Sequence, residues 1–318
     1  VLVTGAAGFV GRSVLAALAE EGGRALLGIG RGQGHGMPAG VPFHSVDLAD
    51  GSALRAQVRA FRPSHVLHLA AQSSVAQASH AAAETWRTNV VGSLNLAEAI
   101  RADAPGATVL FASSSEVYGR SFLSGEPLAE DAPLQPVGSY ARTKRAAEDM
   151  LADVLAGSDN RLIIVRPFNH TGPDQDERFV VPSFAGQIAR IEAGLAPRRL
   201  EVGNMSAERE FLDVRDVARA YACVIDGAER IASGTVLNIA SGAPRTIASV
   251  LEDLRGLSRV SFEVTVSQDR LRRSEIPRAA GDASRLRALT GWAPVIPWGQ
   301  TVADVLATAR LRHGAANA

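Results

Sequence analysis

Apolar positions along this chain keep two rhythms in turn. Short apolar runs at residues 1–3 and 25–29, and in VPFHSVDL, HVLHLAA, TVLFASS and RLIIVRPF, predict strands buried in a sheet. Between them the apolar period is helical. Val10, Val14, Leu15 and Leu18 predict a helix that Gly22-Gly23 ends, and further helices are expected over 52–61, 79–102 and 138–156. Repeated strand–helix units imply parallel strands, right-handed connections and helices on both faces.

The rhythm breaks after Pro167. Residues 168–181 are polar and loop-like, followed by a helix over 182–193 and a strand at RLEVG. A helix over 213–226 and a strand at TVLNIA return to the main sheet. Residues 246–318 hold three more helices and a strand at RVSFEVTV. The expected fold class is α/β: a Rossmann-type doubly wound parallel sheet with a smaller α/β substrate domain. The dinucleotide-binding domain is expected at 1–167 plus 213–240, and the substrate domain at 168–212 plus 241–318. A cleft between them, beyond the carboxyl ends of the strands, is the expected ligand site.

The first strand runs into TGAAGFVG. Gly5 permits a tight turn, Gly8 lets backbone approach a pyrophosphate, and Gly11 allows close helix–strand packing. The helix start, at Phe9 and Val10, supplies N–H groups and a positive dipole end to phosphates. At the end of the second strand, where an NAD site usually carries an acid, stand Gly30 and Arg31. Nothing there repels a 2′-phosphate, and a guanidinium is at hand, so NADP(H) is expected over NAD(H). Taken alone, Arg31 is also an ordinary loop residue.

Composition narrows the partners. The 318 residues are 46% hydrophobic and 21% charged, with formal net charge +0. Such a chain has material for a large core and no general attraction to nucleic acid or anionic membrane. The single cysteine, Cys223, excludes an intrachain disulfide and a cysteine-based zinc cluster, and it suits a reducing cytoplasm. His65 and His68 fall on opposite sides of a strand, so no metal is expected. No apolar run reaches about 18 residues and no signal peptide is seen. The chain opens on Val1 rather than methionine, so residues are expected to be missing there.

The chemistry gathers near GSYARTK. Tyr140 and Lys144 are one helical turn apart and share a face. An ammonium beside a phenol lowers its pKa and lets it exchange a proton near neutrality. Such a pair is most often surface decoration. Here, however, LFASSSEVYG places three serines at the carboxyl end of a central strand, where α/β sheets contact ligands. Asn89, in TNVVGSLNLAEAI, is either part of that site or a satisfied polar residue. His170 is either cleft-lining or an ordinary loop histidine.

With TGAAGFVG, VDL, HLAA, TNVVGSLNL, SSSEVYG, YARTK, RPFNHTGP and REFLDVRDVARAY, nearly the whole chain resembles the extended short-chain dehydrogenase/reductase family acting on nucleotide sugars. The resemblance implies an NAD(P)-dependent oxidoreductase. Ser114 would be the catalytic hydroxyl, Tyr140 the acid/base and Lys144 its tuning cation on the nicotinamide ribose. Asn89 would hold a relay water and the backbone around Lys144. Cofactor contacts are implied at Gly5, Gly8, Phe9, Val10, Gly11, Arg31, Asp47, Leu48, Ala70 and Lys144. Substrate contacts are implied at Ser115, Glu116, Asn169, Arg209 and Arg272, the two arginines on a diphosphate. The later segments are most similar to the branch that reduces the 4-keto group of a GDP-linked deoxyhexose. Glu116 keeps a 4,6-dehydratase open; a 4-epimerase and a non-catalytic dinucleotide sensor are the other readings. A cytoplasmic homodimer is implied.

Overall fold

The computed structural model describes residues 1–270 and 276–314. The chain begins β1 (Leu2–Thr4), α1 (Phe9–Glu21), β2 (Leu27–Gly30), β3 (Phe43–Ser45), α2 (Gly51–Phe61) and β4 (His65–His68). Then come α3 (Val75–His80), α4 (Ala82–Trp86), a π-helical turn (Arg87–Val91) and α5 (Gly92–Asp103). β5 (Thr108–Ala112), α6 (Gly138–Leu155) and β6 (Arg161–Pro167) follow. Next are β7 (His170–Thr171), α7 (Val180–Glu192), β8 (Arg199–Val202), β9 (Glu208–Arg209), β10 (Leu212–Asp213) and α8 (Val214–Gly227). The remainder is β11 (Val236–Ile239), β12 (Arg245–Thr246), α9 (Ile247–Gly256), β13 (Glu263–Val266), β14 (Arg278–Ala279), α10 (Ser284–Thr290) and α11 (Trp298–His313).

Seven parallel strands make the central sheet in the order β3-β2-β1-β4-β5-β6-β11. The order reverses between β1 and β4, and ligands bind α/β sheets at that point. Successive residues of β5 and β6 enter opposite cores. Leu110 and Ile163 pack with Val14, Leu18 and Val217 on the α1/α8 face. Val109, Phe111 and Leu162 pack with Leu54, Ile100 and Leu151 on the α2/α5/α6 face. Burial on both faces is why these strands read as continuous apolar runs instead of alternating ones.

A third core gathers α7, α9 and α11 through Ile188, Val250, Leu254 and Leu306, and takes in Leu200 and Val202 of β8. The segment after 241 is divided in its packing. Ala283, Leu286 and Trp292 join the α1/α8 core of the main sheet, and the Trp292 indole donates to the Asp216 carbonyl at 3.0 Å.

Two local features differ from the sequence pattern. The stretch expected as one helix over 79–102 is α3, α4, the π turn and α5. The segment 168–181 contains β7, which pairs with β10 through His170–Leu212 and Thr171–Asp213. That pairing ties the polar segment to the N-terminus of α8.

Candidate active site

A cavity of about 740 Å³ opens over the carboxyl ends of β1, β2, β4, β5 and β6. At one end lies the glycine turn, with Gly5, Gly8, Phe9, Val10 and Gly11 on its wall. Gly5 has φ +68°, and a Cβ there would stand 2.8 Å from the Ala70 nitrogen. A Cβ on Gly11 would meet the Gly5 carbonyl oxygen at 2.4 Å. Only glycine lets β1, α1 and the loop after β4 close up this tightly. Gly8 caps α1 without a side-chain bond, and no acid stands in the first turn. The first N–H groups of α1 and its positive dipole end therefore face the cavity wall, a donor set that fits a pyrophosphate.

Arg31, Asp47, Leu48 and Ala70 line the same cavity. Gly30 and Arg31 stand at the end of β2 with no carboxylate in that position. Asp47, one strand over, accepts a bond from the Ala49 nitrogen at 2.9 Å.

The other end carries the proton chemistry. Ser114, Ser115, Glu116, Tyr140 and Asn169 all line the cavity. Ser114 follows β5 in extended conformation, and its Oγ accepts from the Glu116 nitrogen at 3.2 Å, starting a short 3-10 turn. The Ser114 hydroxyl faces the Tyr140 phenol across the cavity lining and acts to lower its pKa. Burial pushes the Tyr140 phenol up to about 12; the Ser114 hydroxyl opposes this and the Glu116 charge adds to it. Glu116 is itself raised by burial, against the pull of Arg209.

Burial thus works against the lowering of the phenol expected from Lys144. Desolvation prevails, and the group lowering the phenol is Ser114. Lys144 lies beneath the cavity floor, outside its lining. Its Nζ donates to the Ala112 carbonyl at 2.6 Å and sits 4.9 Å from the centre of the Phe111 ring. Burial pulls the ammonium down to about 8, against the charge of Glu148.

Asn89 stands behind the site, beside the helix turn that carries Lys144. It lies on the π turn, off the cavity lining. Its Oδ1 accepts from the Gln72 nitrogen at 2.8 Å, and its Nδ2 donates to the Gln72 carbonyl at 3.3 Å and the Thr143 hydroxyl at 3.0 Å. Thr143 in turn donates to the Tyr140 carbonyl at 2.8 Å. Asn89 thus holds the backbone of Tyr140 through Thr143, and both its amide hydrogens are used in doing so.

A buried chain of bonds, not anticipated, backs the site. The Ala70 N–H donates to Thr4 Oγ1 at 3.1 Å, and Thr4 Oγ1 lies 2.7 Å from His68 Nδ1. His68 Nε2 lies 2.8 Å from Ser93 Oγ, which donates to the Asn89 carbonyl at 2.7 Å. With Ser93 already donating, His68 Nε2 carries the proton and Nδ1 accepts from Thr4. Burial, with the Lys144 charge adding, pulls this histidine down to about 3, so it is neutral.

The 168–181 segment contributes more than the sequence suggested: His170, Gln175, Arg178 and Phe179 reach the cavity. His170 stacks on Phe9 with ring centres 6.2 Å apart and planes 7° from parallel. Its Nδ1 lies 3.0 Å from the Phe168 carbonyl, so that nitrogen bears the proton. Burial lowers its pKa. Arg209, on β9, lies off the lining; it donates to the Glu208 and Ile276 carbonyls at 2.7 and 3.1 Å. Arg272 lies outside the described residues.

A doubly wound sheet with a glycine turn at its switch point and a Ser–Tyr pair over a buried lysine defines a dinucleotide-dependent enzyme of the short-chain type. Residues 1–240 match the NAD dependent epimerase/dehydratase family, and the chain belongs to it. It is 36% identical over 305 residues to GDP-6-deoxy-D-mannose reductase of Pseudomonas aeruginosa, covering 96% of this chain and 95% of that one. The structure of RMD from Pseudomonas aeruginosa complexed with NADPH superposes with TM-score 0.85 and 34% identity, covering 98% of this chain and 99% of the other. The UDP-glucose 4-epimerase of Thermus thermophilus in complex with NAD gives TM-score 0.84 and 29% identity, covering 97% and 98%.

Proposed function

We propose that this protein reduces the 4-keto group of GDP-4-keto-6-deoxy-D-mannose with NADPH, forming GDP-D-rhamnose. The observation that carries the reading is the 36% identity to a GDP-6-deoxy-D-mannose reductase along 96% of the chain. The site chemistry agrees with that direction of reaction. A phenol raised to about 12 is protonated at neutral pH, as a proton donor to a developing alkoxide must be. The dihydronicotinamide, when bound, supplies the hydride. Tyr140 gives its proton to the carbonyl oxygen, and the Ser114 hydroxyl bonds the same oxygen, so both stabilise charge that appears in the transition state. Lys144 adds positive field from below.

The glycine turn and the first turn of α1 would hold the pyrophosphate, Asp47 and Leu48 the adenine end, Ala70 the loop side, and Arg31 a 2′-phosphate. Ser115, Glu116 and Asn169 face the sugar side of the cavity. Arg209 and Arg272 are assigned to the substrate diphosphate on resemblance alone. Residues 168–212 with part of 241–318 form the substrate unit in this reading, supported by the separate α7/α9/α11 core. A cytoplasmic homodimer paired through α5 and α6 belongs to the same proposal. Among the described residues no helix is long and apolar enough to cross a membrane.

One observation favours a second reading. Glu116 is half-buried near Tyr140 with its pKa raised by desolvation, the condition of a carboxyl that can donate a proton in a 4,6-dehydratase. A non-catalytic sensor has less support, because Ser114 and Tyr140 meet at the cavity with Lys144 below. Incubation with NADPH and GDP-4-keto-6-deoxy-D-mannose, followed by separation of the nucleotide sugars, tests the proposal. A saturated GDP-6-deoxyhexose supports it; recovery of the ketone unchanged contradicts it.

A further inference from the structure

Lys144 is the single lysine in the sequence; every other strong base is arginine. The distinction is physical. A guanidinium stays charged wherever it is placed, whereas a buried amine discharges readily. The chain's one amine side chain sits where burial is nearly complete, with 3% of its surface exposed.

Glu148 lies one turn further along α6, also 3% exposed. Its carboxylate grips Arg166 at both oxygens, Nε to Oε1 at 3.0 Å and Nη2 to Oε2 at 2.7 Å. It also accepts a hydrogen bond from the Ser113 hydroxyl. Arg166 is held in turn by the Tyr118 hydroxyl at 3.2 Å and the Glu130 carbonyl at 3.1 Å. Ser113 stands between Ala112, whose carbonyl takes the Lys144 ammonium, and Ser114, the residue that lowers the Tyr140 phenol. The carboxylate therefore fixes the piece of chain that receives the Lys144 ammonium and carries Ser114.

Among the described residues, the groups that contact or act on Lys144 are Glu148 on α6, His68 of β4, held neutral, and the Phe111 ring and Ala112 carbonyl of β5; Arg166 of β6 reaches Glu148. Glu116, on the turn after β5, acts on Tyr140. Glu148 is the charge that acts on Lys144 to keep it protonated.

We propose that Glu148, fixed by Arg166 and Ser113, is a positioning residue and counter-charge that keeps this lysine an ammonium beneath the nucleotide cavity. Without the carboxylate, Arg166 presents an unbalanced positive charge, and burial discharges the amine at lower pH. The inference relies on the reductase reading only for its kinetic consequence.

A single lysine makes the test direct. The full chain grown with lysine labelled at 13Cε gives one side-chain resonance, whose shift follows protonation of Lys144. The wild-type midpoint is expected at about 8. In Glu148→Gln it moves down by on the order of one unit or more, while Glu148→Asp stays near wild type. Because Glu148→Gln strands a buried guanidinium, a second variant, Glu148→Leu with Arg166→Met, removes both charges together and keeps the volume filled. Its midpoint also moves down. The alkaline limb of kcat/KM shifts by the same interval in each folded variant. An unchanged lysine midpoint in either folded variant overturns the proposal. Should the wild type fail to reduce any 4-keto nucleotide sugar, the functional reading falls, and the resonance still decides the counter-charge.

Discussion

The Asn89 side chain donates to the Thr143 hydroxyl at 3.0 Å, and that hydroxyl donates on to the carbonyl of Tyr140 at 2.8 Å. The π turn thereby grips the first turn of α6, and the phenol is oriented from behind. π turns occur often at functional sites, because the inserted residue re-aims side chains that an α-helix would send elsewhere. Asn89→Ala leaves the Gln72 peptide groups and Thr143 short of partners. Stability is expected to fall by about 1–3 kcal/mol, measured by urea unfolding. The kcat is expected to fall more than NADPH affinity does. An equal loss in both would mean that Asn89 supports the cavity in general and not the phenol.

Tyr140→Phe removes the proton and keeps the ring. The kcat is expected to drop by about 100- to 10,000-fold, with NADPH binding, followed by its fluorescence, nearly unchanged. A mutant that still reduces the ketone at near wild-type rate would assign the proton to another group.

Much of this site is legible in the sequence because its requirements are local. Gly5 and Gly11 announce themselves, since backbone contacts at those points exclude a Cβ. Tyr140 and Lys144 announce themselves by sharing a helix face. The π turn does not, because one inserted residue leaves the apolar period of 79–102 almost undisturbed. The Thr4–His68–Ser93 chain is also hidden, since its three members come from β1, β4 and α5 and only the sheet order brings them together. The direction of the Tyr140 shift is hidden for a related reason. A Tyr–Lys pair shows an attraction, but only the fold shows that burial outweighs it. The packing of Trp292 onto the main sheet's core likewise depends on long-range contacts with α8.

Arg31 is the sequence's only charged residue at the end of β2, and it borders the cavity. A charge-assisted bond to a phosphate contributes about 1.5–3 kcal/mol. Arg31→Ala is therefore expected to weaken NADPH binding by roughly tenfold or more, with little effect on NADH. Titrations of both cofactors check this. Equal losses for the two would remove the 2′-phosphate assignment.

His68 gives the fold a built-in sensitivity to acid. Its pKa falls from the ordinary histidine value of 6.5 to about 3 in the fold. Between those values the unfolded chain binds a proton that the folded chain does not. Stability therefore rises with pH through that window and is lost as pH falls, by up to about 1.4 kcal/mol per unit from this group. His68→Gln is expected to be less stable at pH 7, from lost hydrogen bonds, but to lose stability less steeply between pH 6 and 4. Denaturant unfolding at several pH values measures both. An unchanged acid slope would show that His68 is not the group responsible.

The most direct measurement is the stoichiometry of the wild-type reaction with GDP-4-keto-6-deoxy-D-mannose, followed at the reduced-nicotinamide absorbance band alongside product formation. One NADPH is expected to be consumed for each ketone converted. Conversion of the sugar nucleotide with no net loss of NADPH would contradict it and turn the assignment toward an epimerase or a dehydratase.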